Sequence, residues 1–246
     1  MGSQGSEHRA RQRIRGVLFD KDGTLFEYHG TWVPIIFEAA SMVAEGDAAL
    51  ISRLVVAAGY DEARRQIRAG SLFAGGDTIE LADTWRQLGV RREQTDLVTS
   101  LDALFARLAP AMSVPVTDLP ALFSTLTGRG LKLGLATNDV EASARALMAR
   151  FALDPFLSFQ AGYDSGHGAK PGPGMTLAFC ERVGLAPGSV AVVGDNRHDL
   201  DMGRAAGAGL LVGVLTGTSA HADLAPLADA VIESVADLPS LLDVYV

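Results

Sequence analysis

Two aspartates, one residue apart, follow an apolar run in GVLFDKDGTLFEYHG, residues 16–30. Carboxylates held that close repel each other unless a cation or a shared proton relieves them. Asp20 and Asp22 therefore point to a metal or acid–base site. A second acidic pair, Asp195 and Asp199, stands four residues apart in VVGDNRHDLDMGRAAGAG and offers the hard oxygen ligands that Mg²⁺ prefers. Between the two pairs lie residues suited to an anion. LATNDVE carries Thr137 beside a helix start, where Asn138 and Glu141 have capping-box spacing and backbone N–H groups form an anion site. GAKPGPG places Lys170, a point cation, in a Gly/Pro-rich loop before another helix.

The elements around these residues explain why they would meet. Val17, Leu18 and Phe19 form a short apolar run, the pattern of a strand covered on both faces. Asp20 and Asp22 then fall at its carboxyl end, the edge at which open α/β sheets bind ligands. From about residue 115 onward, strand and helix patterns alternate. LKLGLAT ends as a strand at Thr137 and SVAVVGD ends as one at Asp195; FLSFQAG, GLLVGVL and DAVIES complete the strand set. Strands alternating with helices predict a mostly parallel, doubly wound α/β sheet. Residues 31–109 differ: alanine- and leucine-rich segments of helical spacing, punctuated by glycines, predict roughly five helices and no strand. The opening strand belongs with the later sheet, so the helical unit is expected to be an insertion. The expected division is residues 13–28 and 110–246 as the α/β core, 29–109 as the insertion, and 1–12 as a flexible or expression-derived terminus.

Taken in order, these motifs resemble the haloacid dehalogenase superfamily of phosphohydrolases. DKDGTL matches the family's DxDGT motif, and GDNRHD matches its closing acidic motif; Thr137 and Lys170 stand where the second and third motifs fall. The helical insertion is similar to the cap of the phosphoglycolate phosphatase and beta-phosphoglucomutase branch. The resemblance implies a Rossmann-like core with an inserted all-helical cap, and a Mg²⁺ cofactor. It implies that Asp20 is the nucleophile forming an aspartyl-phosphate, and that Asp22 is the acid–base and offers its backbone carbonyl to the metal. Thr137, Asn138 and Lys170 would hold the phosphoryl group, Asp195 would bind Mg²⁺ together with Asp20, and Asp199 would orient Lys170 or a metal-bound water.

Composition narrows the partners. The 246 residues are 48% hydrophobic and 20% charged, ordinary for a globular chain with a real core. A net charge of -8 argues against nucleic acid or an anionic membrane as main partner, while leaving room for a small phosphorylated metabolite bound by local cations. Cys180 is the single cysteine, so no intrachain disulfide forms and a cytoplasmic setting is expected. No run approaches a membrane span. Cys180 and the tryptophans Trp32 and Trp85 read as core, His198 as a surface residue without a role, and the glycine-rich stretch 68–78 as a specificity loop or an ordinary turn. The leading function is a phosphatase; a phosphomutase would use the same core residues, and a catalytically dead scaffold would lack one of them. Nothing in the sequence specifies an oligomeric state.

Overall fold

The computed structural model describes residues 13–245. The expectation for residues 1–12 lies outside them. In chain order the elements are β1 (Gly16–Phe19), α1 (Tyr28–Ala44), α2 (Ala48–Ala58), β2 (Tyr60–Asp61), β3 (Gln66–Ile67), α3 (Leu72–Gly75), α4 (Thr78–Gln87) and α5 (Gln94–Met112). Then follow α6 (Leu119–Gly128), β4 (Lys132–Ala136), α7 (Glu141–Arg150), β5 (Leu157–Ala161), α8 (Gly174–Val183), β6 (Val190–Gly194), α9 (Arg197–Ala206) and β7 (Leu210–Val214). The chain closes with α10 (His221–Leu224), β8 (Ala230–Ile232) and α11 (Leu238–Leu242).

Six strands form one parallel sheet in the order β5-β4-β1-β6-β7-β8. The strands β1, β6 and β7 are apolar throughout because both faces are covered. On one face Val17 and Phe19 pack with Leu133, Leu135, Val193 and Phe123 of α6; on the other, Leu18 packs with Val192, Phe179 of α8 and Leu200 of α9. The period-2 alternation of β1 thus feeds two cores at once. The chain leaves β1 toward β4 and β5, then crosses back to β6, so the strand order reverses around β1. Ligand crevices form at that position in open α/β sheets. Phe19 pairs with Leu135 on one side and Val193 on the other, which brings residues 20, 137 and 195 to one edge.

The inserted segment owns a separate core from Tyr28 to Ala109, centred on Trp85, whose indole N–H donates to the Leu54 carbonyl. Its first helix begins at Tyr28 and its last ends at Met112. The two chain crossings lie side by side: Glu27 N–H donates to the Val114 carbonyl and Val116 N–H to the Leu25 carbonyl. Five helices are present, but DEARRQIRAG is not one of them. It folds as the antiparallel hairpin β2–β3. The Asp61 carboxylate accepts from the N–H groups of Ala63 and Arg64, and Arg65 adopts a left-handed φ of 56°. An aspartate that captures nearby backbone donors competes directly with helix formation, which is why helical spacing misled here.

Among the described residues no helix is long and apolar enough to cross a membrane.

Candidate active site

Asp20 follows β1 directly and is almost fully buried. Lys170 reaches across the sheet edge to it, donating from Nζ to Asp20 Oδ1 at 2.5 Å and to Asp199 Oδ1 at 2.6 Å. Burial alone would lower the Lys170 pKa, but the Asp199 and Asp20 carboxylates outweigh it and hold the ammonium charged. Gly23 then turns the chain with φ 85°; a Cβ there would stand 2.7 Å from the Asp195 carboxyl and 2.8 Å from Gly217 Cα. Only glycine lets the first motif and the β7 loop approach this closely.

Asp22 is held from behind. Lys21, fully buried, stands 3.2 Å from Asp22 Oδ2 and 2.5 Å from Asp139 Oδ2. Burial pushes the Asp22 carboxyl up to about 6; Lys21 opposes that, while Asp139 and Asp20 add to it. Asp22 Oδ1 is buried with no hydrogen-bond partner. This carboxyl is therefore poised to carry a proton near neutral pH, the property a general acid requires.

Thr137 ends β4, its N–H donating to the Ala161 carbonyl and its Oγ1 accepting from Asp139 N–H. The capping-box expectation at Asn138 and Glu141 is not met. The N-cap of α7 is Val140, and the Glu141 N–H donates to the Asp164 carboxylate, so no anion is needed at that helix start. The Asn138 side chain, expected at the phosphate, instead clamps the lysine loop: Oδ1 accepts from Lys170 N–H, and Nδ2 donates to the carbonyls of Lys170 and Gly75. Its amide donors are both used, so its side chain positions Lys170 and has none left for a ligand.

Asp195 follows β6 with Oδ2 accepting from the Thr218 N–H at 2.8 Å and its hydroxyl at 3.3 Å. Asp199 lies one turn into α9, where Oδ2 accepts from Asn196 N–H and closes a capping box while Oδ1 takes Lys170. One carboxylate thus both holds Lys170 and caps α9. Burial, with Asp20 and Asp199 nearby, raises Asp195 well above the usual carboxylate range; burial also brings Asp199 to about 6 despite Lys170. Oxygens of Asp20, Asp195 and Asp199 lie within 4.8 Å of one another. Three buried carboxylates with one shared lysine are short of positive charge, and their oxygens are the donors a hard dication takes. The residues fit Mg²⁺.

The insertion closes over this cluster. Segment 72–78, the glycine-rich loop, turns its carbonyls toward the core. Gly75 O is bonded by Asn138 Nδ2 at 2.7 Å and His198 Nδ1 at 2.8 Å, Ala74 O accepts from Asn196 Nδ2 at 3.2 Å, and Phe73 O accepts from the Tyr28 hydroxyl at 2.6 Å. The space enclosed between loop and core is a cavity of about 80 Å³. His198 is not the unengaged surface residue expected from its helical neighbours; it lines the cavity and bonds the loop. Trp32 also differs from expectation, since it lines the cavity as well as packing in the insertion's core, whereas Trp85 and Cys180 are buried core as expected.

Lys21, Asp139, Thr218 and His198 were thus missed as parts of the site. Lys21 carried a usable signal, because a lysine between two apolar runs and two aspartates has no solvent to reach. The other three depend on contacts across 23 to 123 residues that no spacing announces.

The chain is similar to known proteins in sequence and in fold. A family model for haloacid dehalogenase-like hydrolases matches residues 14–207. The phosphoglycolate phosphatase of Escherichia coli (strain K12) is 30% identical over 212 residues, 79% of each chain. Among solved structures, CbbY from Rhodobacter sphaeroides in complex with phosphate aligns with TM-score 0.70 and 19% identity over 94% of this chain and 99% of that one. A candidate beta-phosphoglucomutase from Thermotoga maritima aligns with TM-score 0.65 and 20% identity over 95% and 100%. At these identities the two structures speak for the fold.

Removing one partner of a buried ion pair leaves the other charged and unpaired, so Lys21→Met should destabilise the protein by roughly 3–5 kcal/mol. The double variant Lys21→Met/Asp139→Leu should recover most of that loss. Urea denaturation of both variants measures the difference; equal losses would mean that the pair is not coupled.

Proposed function

The chain belongs to the haloacid dehalogenase-like hydrolase family and is a phosphatase, and we propose that it hydrolyses a small phosphorylated metabolite through an aspartyl-phosphate on Asp20, with Mg²⁺ as cofactor. The observation that carries this reading is the meeting of Asp20, Lys170 and Asp22, whose carboxyl burial makes more basic, beneath one small cavity. The Asp20 carboxylate attacks phosphorus, the ester P–O bond breaks, and Asp22 delivers its proton to the departing alkoxide. Asp22, now ionised, takes a proton from the water that attacks the aspartyl-phosphate, releasing inorganic phosphate and restoring both carboxyls. Lys170 and the Thr137 hydroxyl hold the phosphoryl oxygens as charge builds on them. Asp20, Asp195 and the Asp22 backbone carbonyl would hold Mg²⁺, which supplies further neutralisation of the phosphoryl charge when bound.

Residues 29–109 act as a cap, opening about the paired crossings near residues 26–27 and 113–116 and closing through segment 72–78 to exclude water from the first transfer. A cytoplasmic setting suits the one buried thiol. A phosphomutase would use the same core residues and differ in keeping the phosphoryl group from water.

Asp20→Asn should fold normally by circular dichroism and lose turnover by roughly 10⁴-fold or more. Asp22→Asn should slow turnover by about 10²–10⁴-fold while leaving the Kd for Mg²⁺ nearly unchanged, because its metal contact is backbone. Phosphate release over a panel of small esters, phosphoglycolate included, reads both; full activity in folded Asp20→Asn protein would remove the nucleophile assignment.

The acidic cluster also fixes a pH dependence. Asp195 and Asp199 bind protons more tightly folded than unfolded, so in metal-free protein their cost to stability is absent below about pH 4 and grows as pH rises toward and through about 6. Mg²⁺ relieves that cost where the carboxylates are ionised. A hundredfold excess over Kd is worth about 2.7 kcal/mol, or about 5–10 °C in Tm for a chain this size. Thermal melts should show that gain at pH 7.5 and a much smaller one at pH 5.5; equal gains would place the ion elsewhere.

A further inference from the structure

The cavity above Asp20 has two chemically unlike halves. Its floor is the charged cluster of the core. Its roof comes from the insertion, where Trp32, Leu72, Phe73, Leu81 and Phe105 line it. The rings of Trp32, Phe73 and Phe105 meet edge to face, with centroids 5.6, 5.6 and 6.0 Å apart. Among the described residues that line the cavity, none from the insertion is basic; the charge the insertion contributes is Asp77, whose carboxylate caps α4.

The two lysines of the floor are already committed, and so is one ring nitrogen of His198. Lys170 is held between Asp20 and Asp199, and His198 turns Nδ1 to the Gly75 carbonyl. Lys21 lies behind Asp22, 5.6 Å from the Trp32 ring, bound to Asp22 and Asp139. Trp32 Nε1 is buried without a well-formed hydrogen bond and faces the Asp22 carboxyl, whose pKa its N–H lowers.

The phosphoryl group must sit on the floor, so the alcohol it leaves must sit under the roof. A carboxylate there would be stripped of water, would find no cation, and would face Asp22 and Asp77. A neutral apolar group would instead complete the aromatic packing. We propose that the substrate is the phosphate monoester of a small, uncharged, mainly apolar alcohol, and that esters of hydroxy acids are disfavoured. This rests on the phosphatase reading above and narrows its substrate class by charge.

Isobutyl phosphate and phosphoglycolate are close in shape and differ chiefly in the carboxylate, so kcat/KM for the two with Mg²⁺ isolates the charge. The wild type should favour isobutyl phosphate by about tenfold or more, since an unpaired buried charge is a strong discriminator. Leu72→Arg, at the half-buried rim of the cavity, should raise kcat/KM for phosphoglycolate relative to isobutyl phosphate, with circular dichroism as the check on folding. Equal or better hydrolysis of phosphoglycolate by the wild type overturns the proposal and leaves the phosphatase reading intact. If the wild type hydrolyses neither ester nor p-nitrophenyl phosphate, the phosphatase reading fails. Calorimetric binding of both esters to Asp20→Asn protein then decides the proposal alone: tighter isobutyl phosphate supports it, and tighter or equal phosphoglycolate ends it.

Discussion

The site is governed by a shortage of positive charge. Asp20, Asp22, Asp139, Asp195 and Asp199 crowd the carboxyl edge of one sheet, and Lys21 and Lys170 are the ammonium groups bound among them. Burying an ion without a partner costs several kcal/mol, so each lysine is fixed where it serves two carboxylates. The division is orderly. Lys170 takes Asp20 and Asp199, in front; Lys21 takes Asp22 and Asp139, behind. Asp195 is left without a lysine, and burial in this crowded cluster raises the pKa values of Asp195, Asp22 and Asp199. A proton carrier and a cation site follow from the same deficit.

That arrangement places demands on the backbone. Gly23 and Gly217 are small because the Asp195 carboxyl lies against both; a Cβ on Gly217 would fall 1.9 Å from Asp195 Oδ2. Thr216 Oγ1 donates to the Gly23 carbonyl and Thr218 holds Asp195, so the loop after β7 braces the first and last motifs together. Asn138 does the same between β4 and the Lys170 loop. The parallel sheet supplies the edge, and these polar side chains set where the charges sit along it.

Asn138, Asn196 and His198 also tie the insertion to the core through the carbonyls of Ala74 and Gly75. The residues that organise the charged floor and those that hold the roof are therefore partly the same. A carbonyl accepts from any donor, which leaves the side chains of Leu72 and Phe73 free to differ without disturbing closure. On the proposed reading this device separates chemistry from selectivity: the floor would handle phosphorus and the roof the alcohol.

Much of this was present in the chain as local pattern. Val17 to Phe19 followed by Asp20 specified a buried strand and the site at its end, because side-chain period and turn residues act over a few positions. Thr137, Lys170, Asp195 and Asp199 were legible by order along the chain, and the alternation after residue 115 gave the parallel sheet. The hairpin at Tyr60–Ile67 was not, since Asp61 captured the donors that helical spacing assumed. Nor was the destination of the Asn138 side chain, which looked like a helix cap and became a clamp on Lys170. By itself the sequence determined which residues carry charge and which strand ends present them. Only the tertiary structure decided which lysine neutralises which aspartate, that His198 and Trp32 face the cavity, and that the roof is apolar. Those outcomes depend on contacts between segments far apart in the chain, and desolvation, the energy that selects among them, exists only once the chain has closed around the site.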